Sequence, residues 1–425
     1  MSRELVSPAF RQLMTLAATG ATGKQTDIAD VEWQSVVCRA QEQSVLSLVG
    51  VALMKHPDIK CPELLREQLL SAMRKAAEKD IVRKLRTLHL LAEMKEAGID
   101  VHLIKGYPIA DCYAFPESRS SVDTDILIPP EQENQTCDFL RSKGFHIDMR
   151  GRTEHHDEAQ HRMLGVVEVH VTLYSELQQE IWFHDAEQDA LPTEAPVQAI
   201  TLDMPYTTLG YTDHLIFLTL HAIKHFICTG MGLRMMLDIA LFFAKYKEQI
   251  DLQRYWRLME NLKFTTLVSS ILWAMIDTKC FDRSDFPGLP DEKPEGINLF
   301  LKDMETGGHM GGKEGEQRFD GSYEYSRQVM LRTMSPIQYR IHILRQKMRD
   351  AEKQMFPEKE RLTNLYPIIA KKSWLALFCR LHRMFAYPIQ KIRAGELKKQ
   401  VRTNSAKMPE EARQRVEMFK KLGMI

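Results

Sequence analysis

Hydrophobic and polar positions along the chain change period three times. From Leu5 to Gly98 the apolar residues recur at helical spacing, and Leu5–Ala18, Asp27–Met54 and Cys61–Gly98 read as helices. In the last of these Ile81, Leu85, Leu88, Leu91 and Ala92 share one stripe, and Gly98 ends it. At Val101 the period shortens. Val101–Ile104 and Val122–Ile128 are short apolar runs. Between them lie Lys105-Gly106, a short helix from Pro108 to Phe115 and a polar turn from Pro116 to Ser121. A helix over Pro130–Lys143, a strand over Phe145–Met149 and a polar loop over Gly151–Glu158 follow. Ala159–Leu164 and Val166–Leu173 then pair around Gly165. This order predicts an α+β (mixed α/β) fold, a small mixed sheet with helices on one face and large helical regions flanking it. Residues 174–208 read as a connector rich in acids and prolines. Thr212 caps an apolar helix, Asp213–Cys228. Gly230 and Gly232 break the chain, Arg234–Tyr246 resumes a helix, and Leu252–Asp277 adds one or two more.

The chemistry gathers in the short-period region. Side chains alternate faces along a strand, so Asp123 and Asp125 point one way and Val122, Thr124 and Ile126 the other. Two carboxylates side by side repel each other unless they are solvated, share a proton or hold a cation. A solvated strand face and a divalent-metal site are both open at this level. In Val166–Leu173 the same alternation sets Glu168 and His170 opposite Val167, Val169 and Val171. Glu168 completes a trio of candidate metal-binding carboxylates, since Mg²⁺ favours a few carboxylates together with phosphate oxygens. At Lys105-Gly106 the glycine allows a sharp turn and close approach of a phosphate to backbone N–H groups, and Lys105 adds positive charge.

Histidines offer further candidates. His155, His156 and His161 invite a zinc reading, but no cysteine stands at ligand spacing, and a polar rim with Arg152 or Arg162 is the plainer account. His221 and His225 fall on one helical face beside Lys224, but the metalloprotease motif requires Glu where Ala222 stands. They are assigned to a cleft face with His170 and Lys224, against the alternative of a helix–helix contact. Asp238 is expected to pair with Arg234 on the same helix.

Charge divides the chain unevenly. The formal net charge is zero, yet Arg340–Ile425 carries 21 Lys and Arg against 8 Asp and Glu, a net of +13. Within it Ser373–Tyr387 has Trp374, Leu377, Phe378, Leu381, Met384 and Phe385 on one face. Such a helix suits either docking on the acidic part of the protein or peripheral contact with an anionic membrane. Nucleic acid is not an expected partner, because no aromatic-interleaved RNA motif is present. The glycine cluster over residues 303–321 reads as a flexible linker, and Glu314 after Gly312-Lys313 excludes a P-loop. Seven dispersed cysteines, no Cys-x-x-Cys and no signal-like apolar start point to reduced thiols in the cytoplasm, with a membrane-peripheral location as the variant that the basic segment allows.

Several of these motifs together resemble a known family. Ile104-Lys105-Gly106, Tyr113-Ala114-Phe115-Pro116, Arg119 ahead of Asp123-Thr124-Asp125, Val167-Glu168-Val169-His170, His221-Ala222-Ile223-Lys224-His225 and Leu233-Arg234…Asp238 are similar to motifs of the bacterial uncharacterised nucleotidyltransferase family, in the superfamily with the DNA polymerase β-like fold. The resemblance covers roughly residues 80 to 280. It departs at Gly106-Tyr107, where the superfamily's turn carries a serine hydroxyl, and at Val122, where the family has glycine. The resemblance implies an enzyme that transfers a nucleotide from an NTP to a hydroxyl of an acceptor, a small molecule or sugar in the first instance. Mg²⁺ would be held in a one- or two-ion site by Asp123, Asp125 and Glu168, with the nucleotide at Lys105, Gly106 and Arg119. The alternative is a non-catalytic nucleotide-binding or antitoxin-like regulator. The expected segments are an N-terminal helical region (1–98), a catalytic core (99–208), a helical region completing the cleft (209–300), a linker and helix (301–339) and a basic C-terminal region (340–425).

Overall fold

The structure is a computed structural model that describes residues 6–119, 121, 123–147, 156–183, 190–307, 315–355, 362, 366, 368, 372–382 and 410–425. It is α+β. Its helices are α1 Pro8–Thr22, α2 Trp33–Glu42, α3 Leu46–Lys55, α4 Glu63–Glu96, α5 Tyr107–Ala110, α6 Glu133–Ser142, α7 Glu176–Trp182, α8 Tyr211–Cys228, α9 Leu233–Tyr246, α10 Leu252–Asn261, α11 Thr265–Ile276, α12 Ile297–Gly307, α13 Gly315–Thr333, α14 Pro336–Met355 and α15 Glu410–Lys421. Five strands, β1 His102–Leu103, β2 Asp123–Leu127, β3 His146–Ile147, β4 His156–His161 and β5 Gly165–His170, form one sheet in the order β1-β2-β5-β4-β3. Only β2 and β5 run parallel; the other pairs are antiparallel. A second hairpin, β6 Val197–Thr201 with β7 Met204–Thr208, forms its own two-stranded sheet. Chain contacts separate one compact unit, Met1–Tyr325 with Glu411–Ile425, from another, Ser326–Glu410.

One face of the five-stranded sheet carries its core. Leu103, Ile126, Val167, Val169 and Ala159 pack there with Leu88, Leu91 and Met94 of α4 and Cys137 and Leu140 of α6. The α4 stripe that the sequence suggested is rotated. Leu88 and Leu91 are buried, but Ile81 and Leu85 are each 37% exposed. Asp80, Lys84 and Thr87 are buried instead. Polar pairing explains the rotation: Asp80 meets Arg83 at 3.2 Å, and Lys84 meets Asp111 at 3.5 Å and lies over the Tyr107 ring. Apolar spacing alone cannot register a buried face whose middle turns are charged.

The N-terminal helices pack through glycine. A Cβ on Gly20 of α1 would lie 2.0 Å from the Leu48 carbonyl oxygen of α3, and one on Gly50 would lie 2.8 Å from Met73 Cβ of α4. Gln43 ties this group to the rest of its unit, accepting from Leu233 N at 2.9 Å and donating to the Met304 carbonyl at 2.9 Å. Helix α8 starts at Tyr211 with Gly210 as its cap, and Thr212 lies inside it. Its first N–H groups are taken by the Glu194 carboxylate, 2.8 Å from Thr212 N and 3.4 Å from Asp213 N. That carboxylate also complements the positive end of the helix dipole.

Three stretches expected to be irregular contain regular structure, the first being the expected loop over 151–158, in which β4 already starts at His156. Residues 174–208 hold α7, opened by a Ser175/Gln178 capping box, and the β6–β7 hairpin. Residues 303–307 and 315–321 are helical, as ends of α12 and α13. Buried Glu305 anchors the first of these ends, 3.0 Å from Arg39 and 3.1 Å from Lys302. Along 373–382 Trp374, Leu377, Phe378 and Leu381 are exposed; Met384 and Phe385 lie outside the described residues. No helix among the described residues is long and apolar enough to cross a membrane.

Candidate functional site

Strand register brings the carboxylates together. Because β2 and β5 are parallel with Asp125 opposite Glu168 and Leu127 opposite His170, Asp123, Asp125, Glu168 and His170 share the sheet face turned away from its core. Asp125 is fully buried, His170 is 4% exposed, and Asp123 and Glu168 are half-buried. The His170 Nε2 lies 3.2 Å from Asp125 Oδ1 and 3.5 Å from Glu168 Oε2. Ligand atoms of Asp125, Glu168 and His170 all fall within 4.8 Å of one another.

Lys105 enters the same site from the end of β1. Its buried ammonium lies 3.3 Å from Asp123 Oδ2 and 3.4 Å from Asp125 Oδ2, bridging the two aspartates. Asp123 also receives the Ser121 hydroxyl at its Oδ1, 3.2 Å away. Gly106 follows with φ 87° and ψ −107°, a conformation that side chains oppose. Nothing lies within 4 Å of where its Cβ would stand. The turn therefore needs glycine for backbone shape and leaves open space beside it. The α5 helix that it opens has a single turn of 4 residues.

Electrostatics keep the site ionised. Burial works to raise the Asp125 pKa, but Lys105 and the hydrogen bond and charge of His170 outweigh it and hold the carboxyl well below its usual range. Burial acts the same way on Asp123, and Lys105, a backbone hydrogen bond and Arg234 together outweigh burial and the repulsion of Asp125. Lys105 and His170 shift upward for the reciprocal reason: burial lowers each, and the carboxylates more than restore it. Asp125 carries one oxygen, Oδ2, that is buried without a hydrogen bond. That orphaned oxygen, aimed at a lysine and flanked by Glu168 and His170, fits a divalent cation.

Helices α8 and α9 supply the surrounding groups. Burial, then the Lys105 charge, holds His221 well below the usual histidine range, so it is neutral; Asp125 acts on it in the opposite sense. Its ring lies 4.6 Å from that of His225. Burial lowers the Lys224 pKa, and the charges of Glu168, Lys105 and Asp125 all reach it. The α8 residues His221 and Lys224 are thus electrostatic neighbours of the carboxylates. His225 sits beside His221, with its Nδ1 3.4 Å from Thr229 Oγ1.

Arg119 is placed differently from the expectation of a phosphate contact. It is buried, with Nε and Nη2 at 2.7 and 2.8 Å from the two Asp238 oxygens, and Tyr113 donates to Asp238 at 2.7 Å. Asp238 therefore pairs with Arg119 rather than forming the exposed pair with Arg234 that helical spacing suggested. Arg234, named from the sequence as the partner of Asp238 and in a family motif, was not placed there among the candidate site residues. It is 6% exposed, and its charge bears on both Lys105 and Asp123. Its place two residues after Gly232, at the start of α9, was the available signal.

The zinc reading falls mostly outside the described residues. His155 and Arg152 lie outside the described residues, as does the side chain of His156. His161 accepts from Met163 N at 3.3 Å and packs on Phe145. Among the described residues the one group suited to a metal ion is Asp125, Glu168 and His170.

Of the comparisons with known proteins, the family model agrees with the motifs. No curated protein matches the chain. A crystal structure of an antigenic nucleotidyltransferase-like protein from Paracoccidioides brasiliensis is similar over 45% of this chain and 93% of that one, at 15% identity and a TM-score of 0.28. Residues 29–276, more than half of the chain, match the family described as uncharacterised nucleotidyltransferase, and the chain belongs to that family.

Proposed function

We propose that the protein is a divalent-metal-dependent nucleotidyltransferase that moves a nucleoside monophosphate from an NTP to a hydroxyl group, with a small molecule or sugar as the acceptor. The observation that carries this reading is the buried Asp125 facing Glu168 across parallel strands, with Asp123 on the same face. Three carboxylates on one face, one of them fully buried, call for positive charge, and Lys105 lies against only two of them. Asp125 and Glu168 would hold the ion, with Asp123 beside them on the same face, and Mg²⁺ is the family-based expectation. When bound, it would neutralise phosphate charge and orient the triphosphate.

The chain's own groups divide the rest of the work. Lys105 and Arg234 bring positive charge to the phosphates, and the open side of Gly106 lets a phosphate approach the backbone. Arg119 and Tyr113 both hold Asp238, which fixes the segment that leads into β2. In the transfer the acceptor oxygen bonds to the α-phosphorus as the bond to pyrophosphate breaks. The Glu168 oxygen that the ion does not use takes the hydroxyl proton at the half-buried edge of the cluster. The imidazole of His221 adds a polar wall beside the cluster.

The test is calorimetric titration of the four NTPs with Mg²⁺ and with Mn²⁺, on the wild type and on Asp123→Ala/Asp125→Ala. Metal-dependent NTP binding that the double variant loses, followed by transfer of α-phosphate label to an acceptor, is the expected result. Tight binding with no transfer across a broad acceptor screen would favour the regulatory alternative. No metal-dependent binding by folded wild type would overturn the transferase reading and favour the regulatory alternative.

A further inference from the structure

The cluster that could hold an ion is not the trio of carboxylates. Asp123 has its Oδ1 on the Ser121 hydroxyl and its Oδ2 on Lys105. The three residues whose ligand atoms converge within 4.8 Å are Asp125, Glu168 and His170, two carboxylates and an imidazole. His170 is 4% exposed, and its Nε2 points at both carboxylates, 3.2 Å from one and 3.5 Å from the other. Independently, Asp125 Oδ2 is buried without a hydrogen bond and has only the lysine ammonium 3.4 Å away.

Ligand chemistry then bears on the identity of the ion. Mg²⁺ is a hard cation that takes oxygen ligands and gives up water reluctantly. An imidazole in the ligand set favours first-row transition ions, whose affinity for nitrogen rises from manganese towards copper. The geometry points to His170 as a direct ligand of a single divalent ion from the manganese-to-zinc series, held with Asp125 and Glu168 in preference to Mg²⁺. Lys105 stays with Asp123 and leaves Asp125 to the ion. The inference rests on reading the carboxylates as a metal site, and it replaces the expected third carboxylate with a nitrogen.

Mn²⁺ alone, without nucleotide, is the probe, because a directly attached nitrogen appears as hyperfine coupling in pulsed paramagnetic resonance. The wild type is expected to bind one Mn²⁺ more tightly than Mg²⁺ and to show ¹⁴N coupling. His170→Gln should lose the coupling and bind Mn²⁺ about 10-fold or more weakly, since even losing a group that merely supports a ligand costs 10–100-fold. Coupling that persists in His170→Gln, for example from His221 or His225, would overturn the assignment. So would binding lost in Asp125→Asn but free of nitrogen coupling in the wild type, and that result would leave the metal-dependent transferase reading standing. Mn²⁺ binding indifferent to Asp125→Asn would overturn both. Circular dichroism of each variant establishes that the fold is intact.

Discussion

Asp125 and Asp238 are both buried carboxylates, and their partners set them apart. Asp238 is matched by a bidentate guanidinium and a phenol. Asp125 has a lysine and a histidine at longer range and one oxygen without a hydrogen bond. The first arrangement serves stability and the second is ready for a ligand. Removing one partner of a buried pair leaves the other charge uncompensated, so Asp238→Ala should destabilise the fold by about 3–5 kcal/mol in urea unfolding. A loss below about 1 kcal/mol, the range of exposed pairs, would contradict the buried pairing. Strand alternation made Asp123, Asp125, Glu168 and His170 legible, because neighbours on one face are fixed by a period of two. Arg119 was not legible in the same way. Its partner lies 119 residues away, and no local spacing rule reaches that far.

Among the elements, α8 shows how a buried residue couples folding to pH. His214 is 1% exposed and packs on Phe242, and burial, its largest influence, pushes its pKa from 6.5 down to about 4. Between those values the unfolded chain binds a proton that the folded chain excludes. Its stabilising contribution is therefore complete above pH 6.5 and is lost as pH falls towards about 4. At 1.36 kcal/mol per unit the loss amounts to about 3 kcal/mol. His214→Gln should flatten the fall in unfolding free energy over that window, whatever its own stability at neutral pH; an unchanged slope would show that His214 protonates freely in the folded state. The principal helices and β1, β2 and β5 were legible as elements because their apolar periods are clear. The β6–β7 hairpin was not. Its turn, Leu202-Asp203, takes positive φ at both residues without the Asn-Gly or Asp-Gly that signals such a turn. Pro205 in β7 further obscured the strand.

For the whole molecule, the end of the chain matters more to the first unit than its charge suggests. The sequence reading treated the basic region from Arg340 onward as one segment. The structure divides it, returning Glu411–Ile425 to the unit that contains the candidate site. Helix α15 buries Val416, Met418 and Phe419, and Leu422 and Met424 follow just beyond it. Phe419 meets Phe226 of α8 edge-on, with ring centroids 5.7 Å apart. Arg415 lies over both rings, 3.5 Å from Asp303, and donates to the Phe226 carbonyl. Net charge could not reveal this, because the anchoring groups are a few apolar side chains and one buried arginine among solvated lysines. Their burial runs onto α8, the helix that carries His221 and Lys224. Truncation after residue 409 should therefore lower the Tm and weaken metal-dependent NTP binding. Replacing residues 326–409 by a flexible linker that keeps 410–425 should preserve both. Scanning calorimetry of the two variants tests this division. Equal loss in both would mean that the middle segment supports the site, and no loss in either would mean that the burial of Phe419 contributes little.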